Sequence, residues 1–166
     1  MTDTTSSDRA LARTLSGGRP VRKDEIELVD RGLYVESWLP ERRSRRKPLL
    51  FVHGELGGSW VWERFLHHFA GRGWEGHALN LRNHYWSQTA DPASLDIESY
   101  TEDVIAALER LGPTTVAVGH GLGGLLVLKA RQRGVSTLIE ALMFSLCHAL
   151  PNRFGEVLAH LDESAT

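Results

Sequence analysis

The first twenty residues are rich in Thr, Ser and Gly and hold no apolar stretch, and regular patterning sets in near Glu25. From there Ile26 and Leu28 alternate with Glu25 and Glu27, and Leu33, Val35 and Leu39 alternate with Tyr34, Glu36 and Trp38. Asp30-Arg31-Gly32 supplies turn chemistry between the two runs, so residues 25–39 predict a hairpin. A basic stretch follows, with Arg42, Arg43, Arg45, Arg46 and Lys47 bounded by Pro40 and Pro48. It reads as a solvated loop between two strands, with binding of phosphates or an acidic surface as the alternative.

Beyond Pro48 the pattern changes to buried strands alternating with helices. Leu49-Leu50-Phe51-Val52 is a continuous apolar run, as expected of a strand covered on both faces. It ends in His53-Gly54, followed by Gly57-Gly58 and a helix predicted over 59–69 that Gly71 and Gly73 stop. A short strand around 77–79 leads into a polar, aromatic loop over 80–92. Ile97, Tyr100, Val104, Leu108 and Leu111 then recur at three- and four-residue spacing and predict a helix that Gly112-Pro113 ends. A strand over 115–118 breaks into Gly119-His120-Gly121-Leu122-Gly123-Gly124, a glycine-rich turn opening another helix. Strand alternating with helix implies a parallel sheet with right-handed crossovers.

After Gly134 the residues favour a helix. Leu138, Ile139, Leu142, Met143 and Leu146 have helical spacing, and Thr137 with Glu140 matches a capping box. A strand there would carry Glu140 into the sheet, a costly burial without a partner. Pro151-Asn152 then breaks the chain before a short amphipathic helix over 154–161.

Composition narrows the classes. A chain of 166 residues can build one core without disulfide or metal, which gives a disordered lead-in over 1–22 and a single domain over 23–166. The net charge of -2 gives no reason to expect nucleic acid as a partner. One cysteine, Cys147, excludes an internal disulfide and suits a reducing cytoplasm, the expected location. No run reaches the roughly 18 apolar residues of a membrane span, and no signal core precedes the domain. No cluster has metal-ligand spacing, so neither metal nor cofactor is expected.

In a strand–turn–helix context, the pattern G-x-S-x-G forms a nucleophile elbow with the serine hydroxyl held on a sharp turn. Here Gly119 and Gly123 stand at the flanks and Gly121 stands in the serine's place. The hairpin, the strand ending in His53-Gly54 with Gly57-Gly58 behind it, Leu81-Arg82-Asn83-His84, the 97–111 helix and this turn come in a telling order. Together they resemble the N-terminal half of an α/β-hydrolase of the esterase, lipase and epoxide-hydrolase superfamily, over about residues 25–133. The resemblance implies an α/β-hydrolase-like, mostly parallel sheet with flanking helices, truncated after the elbow helix. It also implies a buried strand over roughly 137–145, against the helix that local chemistry favours.

The chemistry of that superfamily needs a serine, a histidine, a carboxylate and two backbone donors for the oxyanion. By resemblance the donors here are the N–H groups of Glu55 and Leu122. Gly121 has no side chain with which to form an acyl-enzyme, although glycine suits the turn itself. The family's acid and histidine come from later strands, for which the chain, ending at Thr166, has no room. His53 belongs to a strand-end motif and reads as structural, and His120 is expected to point away from a ligand. His84 lies in the Asn83-His84-Tyr85-Trp86 loop, near the expected mouth of the pocket. His67 and His68 face different ways on one helix; His148 and Cys147 are neighbours, a spacing that seldom makes a dyad, and with His53, His84 and His120 they are the candidates for any catalytic role.

Three functions follow. The chain is a catalytically silent relative that binds a small acyl or anionic ligand or a partner; or it runs lyase, cyclase or water-activating chemistry in the retained pocket; or it is a shortened product of a longer hydrolase relative. In each case the strand bearing the elbow, or one beyond it, becomes an apolar sheet edge, which favours a homodimer or a partner chain through the C-terminal region.

Overall fold

A computed structural model describes residues 21–28, 31–42, 44–134, 142–144 and 157–158. The hairpin forms as β1 (Val21–Leu28) and β2 (Leu33–Pro40), with β1 starting four residues ahead of Glu25. The apolar run is β3 (Leu49–Val52). A 3-10 turn over Ser59–Trp62 leads into α1 (Glu63–Ala70), and β4 (Gly76–Asn80) follows. Next come α2 (Ile97–Leu111), β5 (Val116–His120) and α3 (Leu122–Gln132). Short strands β6 (Leu142–Phe144) and β7 (Val157–Leu158) complete the described chain.

Among the described residues the strands form one sheet in the order β1-β2-β4-β3-β5-β6-β7. Neighbours within β4-β3-β5-β6 are parallel, while the hairpin joins β4, and β7 joins β6, in antiparallel fashion. The two-residue period of β3 sorts its side chains between two cores. Leu50 and Val52 pack with Val104, Leu108, Leu126 and Val127 of α2 and α3. Leu49 and Phe51 pack with Trp62, Leu66 and Ala70 on the α1 side. Covered on both faces, β3 could only be an uninterrupted apolar run.

Two expectations near the C-terminus need correction. Residues 142–144 are strand, parallel to β5, as the family resemblance implied and against the helix that their spacing favours. Pairing there satisfies the backbone N–H and C=O groups that β5 would otherwise leave open along its edge, a demand that local periodicity does not report. Val157 and Leu158 likewise pair with Phe144 and Met143 instead of sitting in a helix, so the described edge of the sheet is β7, neither the elbow strand nor the one beside it. Thr137 and Glu140 of the expected capping box, and the rest of 154–161, lie outside the described residues, as do Cys147 and His148 and nearly all of the 1–22 lead-in.

Buried polar groups tie the sheet to its loops. Glu36 of β2 is buried, and its carboxylate accepts hydrogen bonds from Trp38 Nε1 at 2.8 Å and Ser59 Oγ at 2.9 Å, with Lys23 Nζ at 3.2 Å. Asn80 Oδ1 accepts from the Ser59 N–H at 2.8 Å, which fixes the start of the 59–62 turn. On the other face Asp103 of α2 is fully buried and receives the Arg82 guanidinium, with Nη2 to Oδ1 at 2.5 Å, together with the Arg82 backbone N–H at 3.0 Å. That pairing holds the Arg82 charge and pushes its pKa up. In the basic segment before β3, Arg42, Arg45 and Arg46 are exposed, with Arg46 stacked 4.9 Å from the Trp74 ring. No helix among the described residues is long and apolar enough to cross a membrane.

Removing one partner of a buried ion pair strands the other charge, at a cost of about 3 kcal/mol or more. Asp103→Ala is therefore expected to lower unfolding stability by about 3 kcal/mol, the low end because Arg82 keeps 24% of its side-chain surface. Urea denaturation followed by circular dichroism checks this, and a loss below about 1 kcal/mol would show the pair to be a weak surface contact.

Candidate functional site

The parallel register sets where the site lies. Val52 of β3 pairs with Leu79 of β4 and with Gly119 of β5, so the three strands end at one level. The loops that leave them therefore converge at the carboxyl edge of the sheet, where open α/β sheets hold ligands. They carry His53-Gly54-Glu55, Leu81-Arg82-Asn83-His84 and His120-Gly121-Leu122.

The turn into α3 is built on glycine for two separate reasons. Gly121 has φ of 55° and ψ of -130°, a backbone conformation that side chains rarely adopt. Gly119 and Gly123 answer to close approach instead. A Cβ on Gly119 would sit 2.6 Å from the backbone of Gly123 and Gly124, and one on Gly123 would overlap the carbonyl oxygens of Val52 and His53. As the first residue of α3, Leu122 has no intrahelical acceptor for its N–H.

Glu55, whose backbone N–H alone drew notice in the sequence, brings its side chain to this turn. A Cβ built on Gly121 would lie 2.8 Å from Glu55 Oε2 and 3.6 Å from the Cα of Gly54. The carboxylate thus occupies the space into which a nucleophile at position 121 would project. Glu55 is exposed, and among the described residues no cation pairs with it. The next residue, Leu56, is 94% exposed and holds φ of 57°.

The histidines have other work. His53 is fully buried, and its Nε2 accepts the Leu81 N–H at 3.2 Å. Its Nδ1 must then carry the proton, donated to the Gly54 carbonyl at 2.7 Å. Both ring atoms are committed to joining the ends of β3 and β4, and burial pushes the imidazole down to about 4, with charge on His84 and His120 acting in the same direction. His84 stacks 4.7 Å from His53 and donates from Nδ1 to the Arg82 carbonyl at 2.9 Å. The His120 ring lies over Gly54 and packs 5.6 Å from Trp62. Sequence reasoning placed all three residues at this edge, and the structure brings them together around His53. On α1, His67 packs against Trp38 and His68 contacts Arg72, so the two rings do face apart. Among the described residues no group of three potential ligands is placed to hold a metal ion.

Two expectations follow. His53 titrates near 6.5 when unfolded and about 4 when folded, so the unfolded chain binds the extra proton between these values. Stability is full above pH 6.5 and falls by about 3 kcal/mol as the pH drops toward 4. Urea midpoints from pH 7.5 to 4.5 check this, and His53→Gln should flatten the slope while lowering stability at pH 7.5. Leu56→Gly removes a strained left-handed side chain that contributes almost no burial, and should raise stability by about 0.5–1 kcal/mol in thermal denaturation.

Comparison with known proteins agrees with this geometry. The family model for the alpha/beta hydrolase fold matches residues 47–147. The chain is 30% identical over 107 residues to the probable esterase PIR7A of Oryza sativa subsp. indica, a match covering 61% of this chain and 39% of that protein. It is 33% identical over 97 residues to the esterase PIR7B of Oryza sativa subsp. japonica, covering 54% of this chain and 35% of that one. An epoxide hydrolase from Vigna radiata superposes with a TM-score of 0.61 at 17% identity, covering 80% of this chain and 42% of that structure. The chain thus spans about two-fifths of the length of these relatives. With the strand order, the glycine turn and the family match in agreement, the chain belongs to the α/β-hydrolase fold family.

Proposed function

We propose that this chain is a catalytically silent member of its family, binding a small acyl ligand at the turn between β5 and α3 without forming an acyl-enzyme. The observation that carries this reading is Gly121: the turn keeps its geometry, but no side-chain oxygen stands on it. The N–H groups of Glu55 and Leu122 are the donors for a ligand carbonyl, and neither depends on a side chain. His53 supports the reading further, because its two ring nitrogens are engaged in holding strands together and neither is open to a reacting proton. Esterase is the activity named for the sequence relatives, and it suggests the ligand class here, an acyl compound.

Activated esters test the proposal. Purified protein incubated with p-nitrophenyl butyrate should release p-nitrophenol no faster than the same chain unfolded in urea. Gly121→Ser should not raise that rate, because a serine at 121 faces the Glu55 carboxylate and both ring nitrogens of His53 are engaged elsewhere. Turnover in the wild type that disappears in Glu55→Gln would overturn silence in favour of water activation by that carboxylate.

A further inference from the structure

We propose that Glu55 sets the chemical class of the ligand, so that this site takes an uncharged amide in preference to an ester or a carboxylate. The inference rests on the binding reading above and sharpens it. Its basis is the position of one charged group. Glu55 Oε2 lies 2.8 Å from where a Cβ on Gly121 would be, and Glu55 Cδ lies 3.7 Å from the same point. The atom nearest the vacated nucleophile position is thus a carboxylate oxygen. Among the described residues neither lysine nor arginine pairs with Glu55.

An ionised carboxylate accepts hydrogen bonds and donates none. A ligand seated against the turn therefore meets two kinds of group. The N–H donors of Glu55 and Leu122 want an acceptor, and the Glu55 carboxylate wants a donor. A carboxamide answers both, with its carbonyl oxygen on the N–H pair and its N–H turned to Oε2. An ester supplies the carbonyl but leaves the carboxylate without a donor. A carboxylate ligand adds like-charge repulsion, which is weakly screened at contact distance. The expected order of affinity is amide, then ester, then carboxylate. An apolar tail finds exposed surface on the segment that follows Glu55, on Leu56, 94% exposed, and on Trp60, 60% exposed and packed against Gly58.

The test uses the full chain, labelled with nitrogen-15 and titrated with hexanamide, methyl hexanoate and hexanoate while amide shifts are followed. Wild type should bind hexanamide at least about 5-fold more tightly than hexanoate, with the largest shifts at 54–57 and 121–123. Glu55→Gln removes the charge from an exposed side chain, so the fold should persist, as an unchanged thermal midpoint would verify. In that variant hexanoate should gain about 5- to 10-fold in affinity and the preference for the amide should shrink to within about 2-fold. If the ligands bind at these residues and the preference is the same in both proteins, Glu55 does not select the ligand and the inference fails alone. If none of the three compounds shifts these residues in either protein, the binding reading fails and takes the inference with it.

Discussion

The backbone of α3 presses directly on the carbonyl end of β3, and most of what surrounds the site depends on that contact. Gly123 touches the carbonyl oxygens of Val52 and His53 so closely that a single added carbon would overlap them, and Gly119 allows the helix to fold back over its own strand. With the helix seated this low, the chain leaving β3 must turn beside Gly121. That path carries Gly54 to within 3.6 Å of a Cβ position on Gly121 and swings the Glu55 carboxylate over it. A bulkier residue at 119 or 123 would lift α3 and open this gap. The vacancy at 121 follows from residue identity, and its occupation by Glu55 follows from this steric arrangement.

Buried polar pairs hold the other loops against this frame. His53 bridges the ends of β3 and β4, Asp103 clamps the Arg82 segment onto α2, and Glu36 with Asn80 anchors the 59–62 turn. Each joins segments distant in sequence through groups that would be costly to leave unpaired in the interior. The consequence for function is a division of labour. The histidines and carboxylates within the fold are spent on position, while the exposed Glu55 carboxylate stands beside the elbow turn.

The elements from 25 to 132 were legible because burial imposes period. Leu49–Val52 is apolar throughout since both faces are covered, and the 97–111 helix shows its stripe because only one side meets the core. Position 121 was legible for a different reason: a strained turn restricts residue choice, so the glycines around it mark the motif even without its serine. The strand β7 was not legible, and β6 was legible only through the family resemblance, which implied a strand over 137–145 against the local pattern. Residues 142–144 carry helical spacing, and only the open hydrogen-bonding edge of β5 makes a strand of them. The Arg82–Asp103 and Glu36–Ser59 contacts were equally hidden, because a charged residue in a half-apolar stretch looks the same whether it meets water or a partner 21 or 23 residues away.

The sequence by itself determined the order of strands and helices from 25 to 132, the glycine turn, the absence of an oxygen at 121 and the family. These depend on local pattern and residue identity, which a linear chain displays. Tertiary structure alone decided what fills the place of that oxygen. Gly121 and Glu55 are 66 positions apart, and their proximity arises because parallel β3 and β5 end at one level and α3 packs without side chains between. The direction of a side chain across such a gap is set by backbone contacts from both sides, so no local pattern records it.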